Sequence, residues 1–195
     1  EDPSLDVMSD PGQCVTCAAG TWCSVGSAAA TPCAAGTINP EPRQAECASC
    51  AAGTYQHEQG ETACFGCTAG NYCPAGSSAE LPCPGGRYSS AGGLAQDTQC
   101  SSCPAGSACS TGSTSASACS PGTYQSSGGQ STCDECGGGS FKAASGAGTC
   151  SACTAGNYCR AGSSAELSCP AGRFSAEEGL SDDSQCADCP AGSFC

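Results

Sequence analysis

Large aliphatic side chains are almost missing from this sequence. Leu, Ile, Val and Phe together number 13 of 195 residues (five, one, three and four). A chain below about 20% in these residues, with high net charge, buries too little apolar surface to offset the entropy of ordering. An ordinary oily core is therefore excluded. Positive charge is equally scarce: Lys142, Arg43, Arg87, Arg160 and Arg173 stand against 18 acidic residues, for a net charge of −13. That balance argues against nucleic acid and anionic membranes as partners and suits a soluble, self-repelling surface. No stretch approaches the run of about 18 apolar residues that marks a transmembrane segment. The opening "EDPSLDVMSD" is acidic and lacks the apolar run of a signal peptide, so the chain reads as a processed segment. Asn-x-Ser/Thr is absent, which removes ordinary N-glycosylation; Asn71 and Asn157 precede Tyr-Cys, and those cysteines are expected to be oxidised.

What fills the gap is cysteine, 23 in all. Each cross-link contracts the unfolded ensemble and contributes roughly 2–4 kcal/mol, not strictly additively. Disulfides can therefore replace the missing core, and a chain built this way matures where thiols oxidise, in the secretory pathway and then outside the cell.

The cysteines are periodic. Adding 86 to a cysteine number lands on another wherever the chain is long enough: Cys14, Cys100 and Cys186; Cys17, Cys103 and Cys189; Cys23, Cys109 and Cys195. The phrase "CTAGNYCPAGSSAELPC" at Cys67 returns at Cys153 changed at two positions, Pro74 to Arg160 and Pro82 to Ser168. Between 64–100 and 150–186, 25 of 37 positions are identical. Such self-similarity marks an array of units that stack on their neighbours. The expected division is a tail of an upstream repeat at 1–13, a first period at 14–99, a second at 100–185 and the start of a third at 186–195.

A smaller motif, Cys-x-x-Gly-x-aromatic, recurs inside each period, as "CAAGTW" at Cys17, "CAAGTY" at Cys50, "CTAGNY" at Cys67 and "CSPGTY" at Cys119. Nine of the ten aromatics (Trp22, Tyr55, Tyr72, Tyr88, Tyr124, Phe141, Tyr158, Phe174 and Phe194) fill its last slot, and Phe65 alone does not. Gly permits a tight turn with positive φ, and the ring beyond it can lie against a disulfide as a miniature core. Rings spread one per unit do not converge on a ligand. No window has helical periodicity, and Gly, Pro, Ser and Asn interrupt every few residues. The fold class expected is small and disulfide-rich, mostly irregular with short β-hairpins, in an elongated tandem-repeat rod.

These features resemble the ephrin-receptor-like cysteine-rich repeat, similar in style to TNF-receptor and EGF-like modules. "CSSCPAGSAC" at Cys100, "CADCPAGSFC" at Cys186 and "CASCAAGTY" at Cys47 carry the likeness, which runs from Cys14 to Cys195. It implies an extracellular, elongated, disulfide-laddered rod. Such repeats occur in receptors, adhesion proteins, and surface and fibre proteins of protists and algae. Ala108 and Ile38 depart from the aromatic slot, which predicts that those two units are the loosest.

Other chemistry is weakly represented. The pairs "CASC" at 47–50 and "CFGC" at 64–67 come close to zinc-ribbon spacing, but the interposed cysteines have no role in such a site. No βαβ pattern supports a thioredoxin-like motif. His57 stands alone in "YQHEQGE" and reads as a solvated loop residue without a nucleophile. Asp182–Asp183 and Glu177–Glu178 read as a solvated face without the spacing of a calcium loop. No catalytic residue, cofactor or metal site is expected. The 30 Ser and 14 Thr lie in solvated loops, and "STGSTSASA" nominates Thr111, Ser113, Thr114 and Ser115 for O-glycans, with plain solubility as the competing reading.

Loop lengths suggest six closures: Cys33–Cys47, Cys50–Cys64, Cys83–Cys100, Cys119–Cys133, Cys136–Cys150 and Cys169–Cys186. If these form, Cys17–Cys23, Cys67–Cys73, Cys103–Cys109, Cys153–Cys159 and Cys189–Cys195 remain as neighbours. A crossed scheme, Cys67–Cys83 with Cys73–Cys100, stays open. Cys14 is left unpaired or bonded upstream, as expected of a slice from a longer array whose opening cysteine precedes residue 1. Leu81 and Leu167 are expected to pack beside the next disulfide.

Two function classes follow. The first is a structural repeat segment of an extracellular fibre, sheath or surface appendage, with self-association or other fibre subunits as partners. The alternative is a protein-binding ectodomain of a receptor or adhesin. Hot spots favour Trp, Tyr and Arg, and on sequence grounds only Phe65 and the four Arg remain free for that role.

Overall fold

The computed structural model of the protein describes residues 16–195, so Cys14 and the segment before it lie outside the described residues. Among the described residues ten two-residue antiparallel hairpins repeat, with three-residue 3-10 turns at Asp97–Gln99 and Asp183–Gln185. The architecture is the disulfide-rich, irregular, hairpin-bearing array expected.

Each hairpin starts from the motif glycine. In "CAAGTI" the Thr37 amide donates to the Ala34 carbonyl at 3.0 Å, with Gly36 at φ 86° in the third turn position. A positive φ there is what a type II turn requires. The Thr37 hydroxyl donates to the same carbonyl at 2.8 Å, and Thr21, Thr54, Thr123 and Ser140 repeat this second clamp. The chain then runs into the inner strand, whose second residue is the aromatic slot. In six of the described hairpins the outer strand is the pair of residues between two cysteines of a Cys-x-x-Cys: Thr54 and Tyr55 pair with Gly66 and Phe65, and Ser140 and Phe141 with Ala152 and Ser151. In the other four it directly precedes Cys33, Cys83, Cys119 or Cys169. In the longer loops the partner strand thus lies just past the closing cysteine, and in the short loops it lies further along, before the next loop opens. All the outer strands described are exposed; the inner ones are half-buried, except that Phe174 is exposed. Ile38 and Ala108 form hairpins of the same register as the rest, pairing with Ala48 and Ser117, so neither departs from the scheme.

The core is sulfur. Of fifteen buried apolar residues among those described, fourteen are cysteine, and the other is Leu180. Most rings lie half-buried beside this core rather than within it, and Phe65, Phe174 and Phe194 are exposed. Leu81 and Leu167 sit on outer strands and keep 42% and 44% of their surface, because that strand faces solvent. The expected packing against the next disulfide does not form.

The slot after each aromatic carries the other buried groups. It holds the second cysteine of the short loops (Cys73, Cys109 and Cys159) or a polar residue: Asn39, Gln56, Ser89, Gln125 and Lys142. A buried polar group needs a partner, and each polar one finds it nearby. The Gln56 amide donates to the Ala63 carbonyl at 2.7 Å and accepts the Glu58 amide at 2.9 Å. Lys142, at the matching place one period later, donates to the carbonyls of Ala144 and Gly146 at 2.7 and 2.9 Å.

The backbone divides into two compact units. One takes residues up to Thr68 with Tyr72–Leu81 and Gly93–Gln96; the other takes Ala69–Asn71, Pro82–Gly92 and Asp97–Cys195. Within the first, Gly36 donates to the Gln56 carbonyl at 2.7 Å, Cys50 returns a bond to the Gly36 carbonyl at 2.9 Å, and Gly76 donates to the Cys50 carbonyl at 2.8 Å. Within the second, Gly122 donates to Lys142 at 2.8 Å, Cys136 to Gly122 at 2.9 Å, and Gly162 to Cys136 at 2.8 Å. Each motif is therefore registered to the next by main chain, whatever side chains it bears. Arg43 holds the place of the loop glycine in its own unit: its φ is 68°, and its amide donates to the Cys17 carbonyl at 3.0 Å.

Candidate interaction surface

The structure pairs the cysteines from Cys17 onward in eleven disulfides. Six close longer loops, Cys33–Cys47, Cys50–Cys64, Cys83–Cys100, Cys119–Cys133, Cys136–Cys150 and Cys169–Cys186. Five are short: Cys17–Cys23, Cys67–Cys73, Cys103–Cys109, Cys153–Cys159 and Cys189–Cys195. The Cys-x-x-Cys pairs at 47–50 and 64–67 hold no free thiol, since their sulfurs belong to three different disulfides. Among the described residues no group of three or more His, Cys, Asp or Glu is placed to hold a metal ion.

The twice-used phrase spends its one charge internally. The Glu80 carboxylate accepts the Thr68 amide at 2.5 Å, and Glu166 accepts the Thr154 amide at 2.6 Å. A shallow open depression beside Glu80 is lined by Ala75, Gly76, Ser77, Ser78, Ala79 and Leu81, small groups that offer no ring and no ion.

The cationic side chains are also engaged. Arg87 donates to the Cys100 carbonyl at 2.9 Å. Arg173 bonds Asp188 at 3.1 Å and the Asp183 carbonyl at 3.2 Å. Arg160 lies 5.8 Å from the centre of the Tyr158 ring and 3.8 Å from both Asp182 and Asp183. The Asp182 carboxyl is held below its ordinary pKa, first by the Ser184 amide, then by the Ser184 and Asp183 side chains and the Arg160 charge. Asp182 and Asp183, read from sequence as a solvated face, are partly exposed, and in addition Asp182 caps the 3-10 turn that Asp183 begins and both flank an arginine. Three of the four arginines that sequence left free for recognition are thus tied into the fold.

Rings do converge once. Tyr55 and Phe65 are cross-strand partners with centroids 6.0 Å apart, and His57 lies 6.0 Å from Tyr55 and 5.8 Å from Phe65. Phe65 keeps 53% of its surface. His57 reaches Glu58 at 3.8 Å, both side chains being more than half exposed. The sequence carried the ingredients, since Phe65 is the one ring outside the motif slot. Their convergence depends on Cys50–Cys64 folding His57 back over the hairpin.

The candidate glycan sites divide. Thr111, Thr114 and Ser115 are exposed, whereas Ser113 is half-buried. The Ser113 carbonyl accepts the Ser89 amide at 3.1 Å, and its hydroxyl lies 3.2 Å from that of Ser110.

No protein-family model matches the chain, and no curated protein matches it as a relative. Eleven disulfides, and the lack among the described residues of any helix long and apolar enough to cross a membrane, are consistent with an extracellular or secreted protein.

Proposed function

We propose that the chain is a structural repeat segment of an extracellular fibre, sheath or surface appendage, built from units of the ephrin-receptor-like kind. The observation that carries this reading is the use of main-chain groups to register each motif on the next, as in the Gly36, Cys50 and Gly76 bonds. Contacts made by backbone propagate through an array without demanding particular side chains. The outer strands can then carry Ala48–Ser49 in one unit and Asp134–Glu135 in another with the same hairpin. Exposed Thr111, Thr114 and Ser115 supply attachment points for O-glycans that coat such material.

The Tyr55–His57–Phe65 cluster favours a second reading, a receptor or adhesin ectodomain, since it gathers three rings that the next period does not repeat. Immunogold labelling with antibodies raised against the oxidised chain separates the two. Gold spaced along filaments or a sheath is the expected result. Gold confined to dispersed particles at the plasma membrane overturns the structural reading in favour of the second.

A further inference from the structure

We propose that the face formed by Tyr55, His57 and Phe65 docks an arginine-bearing segment of a partner protein. At Tyr158 an arginine, Arg160, lies 5.8 Å from the ring centre and is flanked by two carboxylates at 3.8 Å. Ring and carboxylate together attract a guanidinium from two sides, which Arg suits better than Lys because it is planar and more weakly hydrated. At Tyr55 the same combination exists without the arginine: three rings within 6.0 Å of one another and the Glu58 carboxylate beside His57.

The chain is poorly placed to fill this face itself. It has five cationic residues against 18 acidic ones. Arg87, Arg160 and Arg173 are held by their own units and Lys142 is buried on two carbonyls, which leaves Arg43, exposed in the Cys33–Cys47 loop, as the one cation not so engaged. Charge complementarity therefore calls for a cationic partner. A sugar is less well served, because the nearby Gln56 amide that could bond its hydroxyls is consumed by Ala63 and Glu58. The face is also unique to this unit: one period later His57 and Phe65 are replaced by Ala143 and Ser151, and the hairpin keeps its register. Those rings are therefore dispensable for the fold.

The same offset supplies variants that preserve the hairpin, His57→Ala and Phe65→Ser. Anisotropy of a fluorescein-labelled Arg–Gly repeat peptide, at physiological salt, is measured against the oxidised full chain. Saturable binding is expected, weakened about tenfold in the double variant and changed less than about twofold by the charge control Glu178→Gln in the other unit. A Lys–Gly peptide is expected to bind more weakly. A native disulfide map of the double variant guards against misfolding, and Glu58→Gln, which removes no ring, should weaken binding independently. Absence of saturable binding by the wild-type chain, equal binding by the double variant, or displacement of the peptide by a neutral glucan oligosaccharide overturns the proposal.

Discussion

The carbonyl oxygen of Gly76 lies against Gly36, two motifs upstream, where any side chain would begin. A Cβ at Gly36 would run into that oxygen, and its φ of 86° is already left-handed. Gly122 and Gly162 repeat the contact one period later. Gly36→Ala and Gly122→Ala should therefore cost more than left-handed strain alone, which is about 1–2 kcal/mol. Gly156→Ala is the control: φ is 81°, but no atom lies within 4 Å of the added methyl. Amide exchange should show lost protection at Cys50 and Gly76 in Gly36→Ala, and little change at Cys136. Equal cost at Gly36 and Gly156 would remove the contact from the account.

Disulfide connectivity can be read after cleavage at glutamate. Cuts after Glu61 and Glu80 release residues 62–80, which carry Cys64, Cys67 and Cys73. With Cys50–Cys64 and Cys67–Cys73 formed, this peptide should be linked to the one carrying Cys50 and to no other. The crossed scheme would join it in addition to the peptide carrying Cys83 and Cys100.

Much of the repeat was legible because cysteine and glycine act through fixed geometry. The sulfur core, the turn at Gly36 and the inner strand Thr37–Ile38 all follow from residue type. The outer strands did not, because they use only backbone: Ala48–Ser49, Phe65–Gly66 and Asp134–Glu135 share no chemistry and pair alike. Solvent on that face also explains why Leu81 and Leu167 stay exposed. The buried slot after the aromatic was readable in principle, since it holds cysteine or a hydrogen-bonding residue in unit after unit. The ring cluster was not, because it depends on loop closure bringing His57 to Phe65.

Lys142 is the only lysine in the chain, and it is buried. An amine-reactive ester should leave the peptide containing Lys142 unmodified in the oxidised protein and label it fully after reduction and denaturation. Lys142→Gln copies Gln56 and should be tolerated within about 1 kcal/mol, whereas Lys142→Ala leaves two carbonyls short of a donor and should cost about 1–3 kcal/mol. Rapid labelling of the folded protein would contradict the buried position.

Asp182 sets a local acid limit. Its pKa is lowered on folding, chiefly by the Ser184 amide it accepts. A depressed carboxyl contributes stability above its unfolded pKa and loses it as pH falls through the folded value. The 3-10 turn at Asp183–Gln185 should therefore be intact at neutral pH and loosen only under acid conditions, below the ordinary aspartate range. NMR titration should find the Asp182 carboxyl midpoint depressed and the Ser184 amide shift following it. Asp182→Asn, which keeps an acceptor oxygen without the charge, should abolish that coupled shift.

Hydroxyl groups in the array are of two kinds, and glycosylation should sort them. Thr54 and Thr123 donate to turn carbonyls at 2.7 and 2.8 Å, and Ser89 is buried, so a glycan there would break the turn or the packing. Thr111, Thr114 and Ser115 are exposed on the Cys103 unit's loop, and a sugar on them displaces nothing. Ser113 is different, because its backbone bridges Tyr88 and its hydroxyl faces Ser110. Electron-transfer mass spectrometry of the native protein should therefore place O-glycans on Thr111, Thr114 or Ser115 and leave Ser113, Thr54 and Thr123 bare. Occupancy at Thr54 or Thr123 would mean that sugars are added before the hairpins close, and the folded surface would then no longer explain the choice of site.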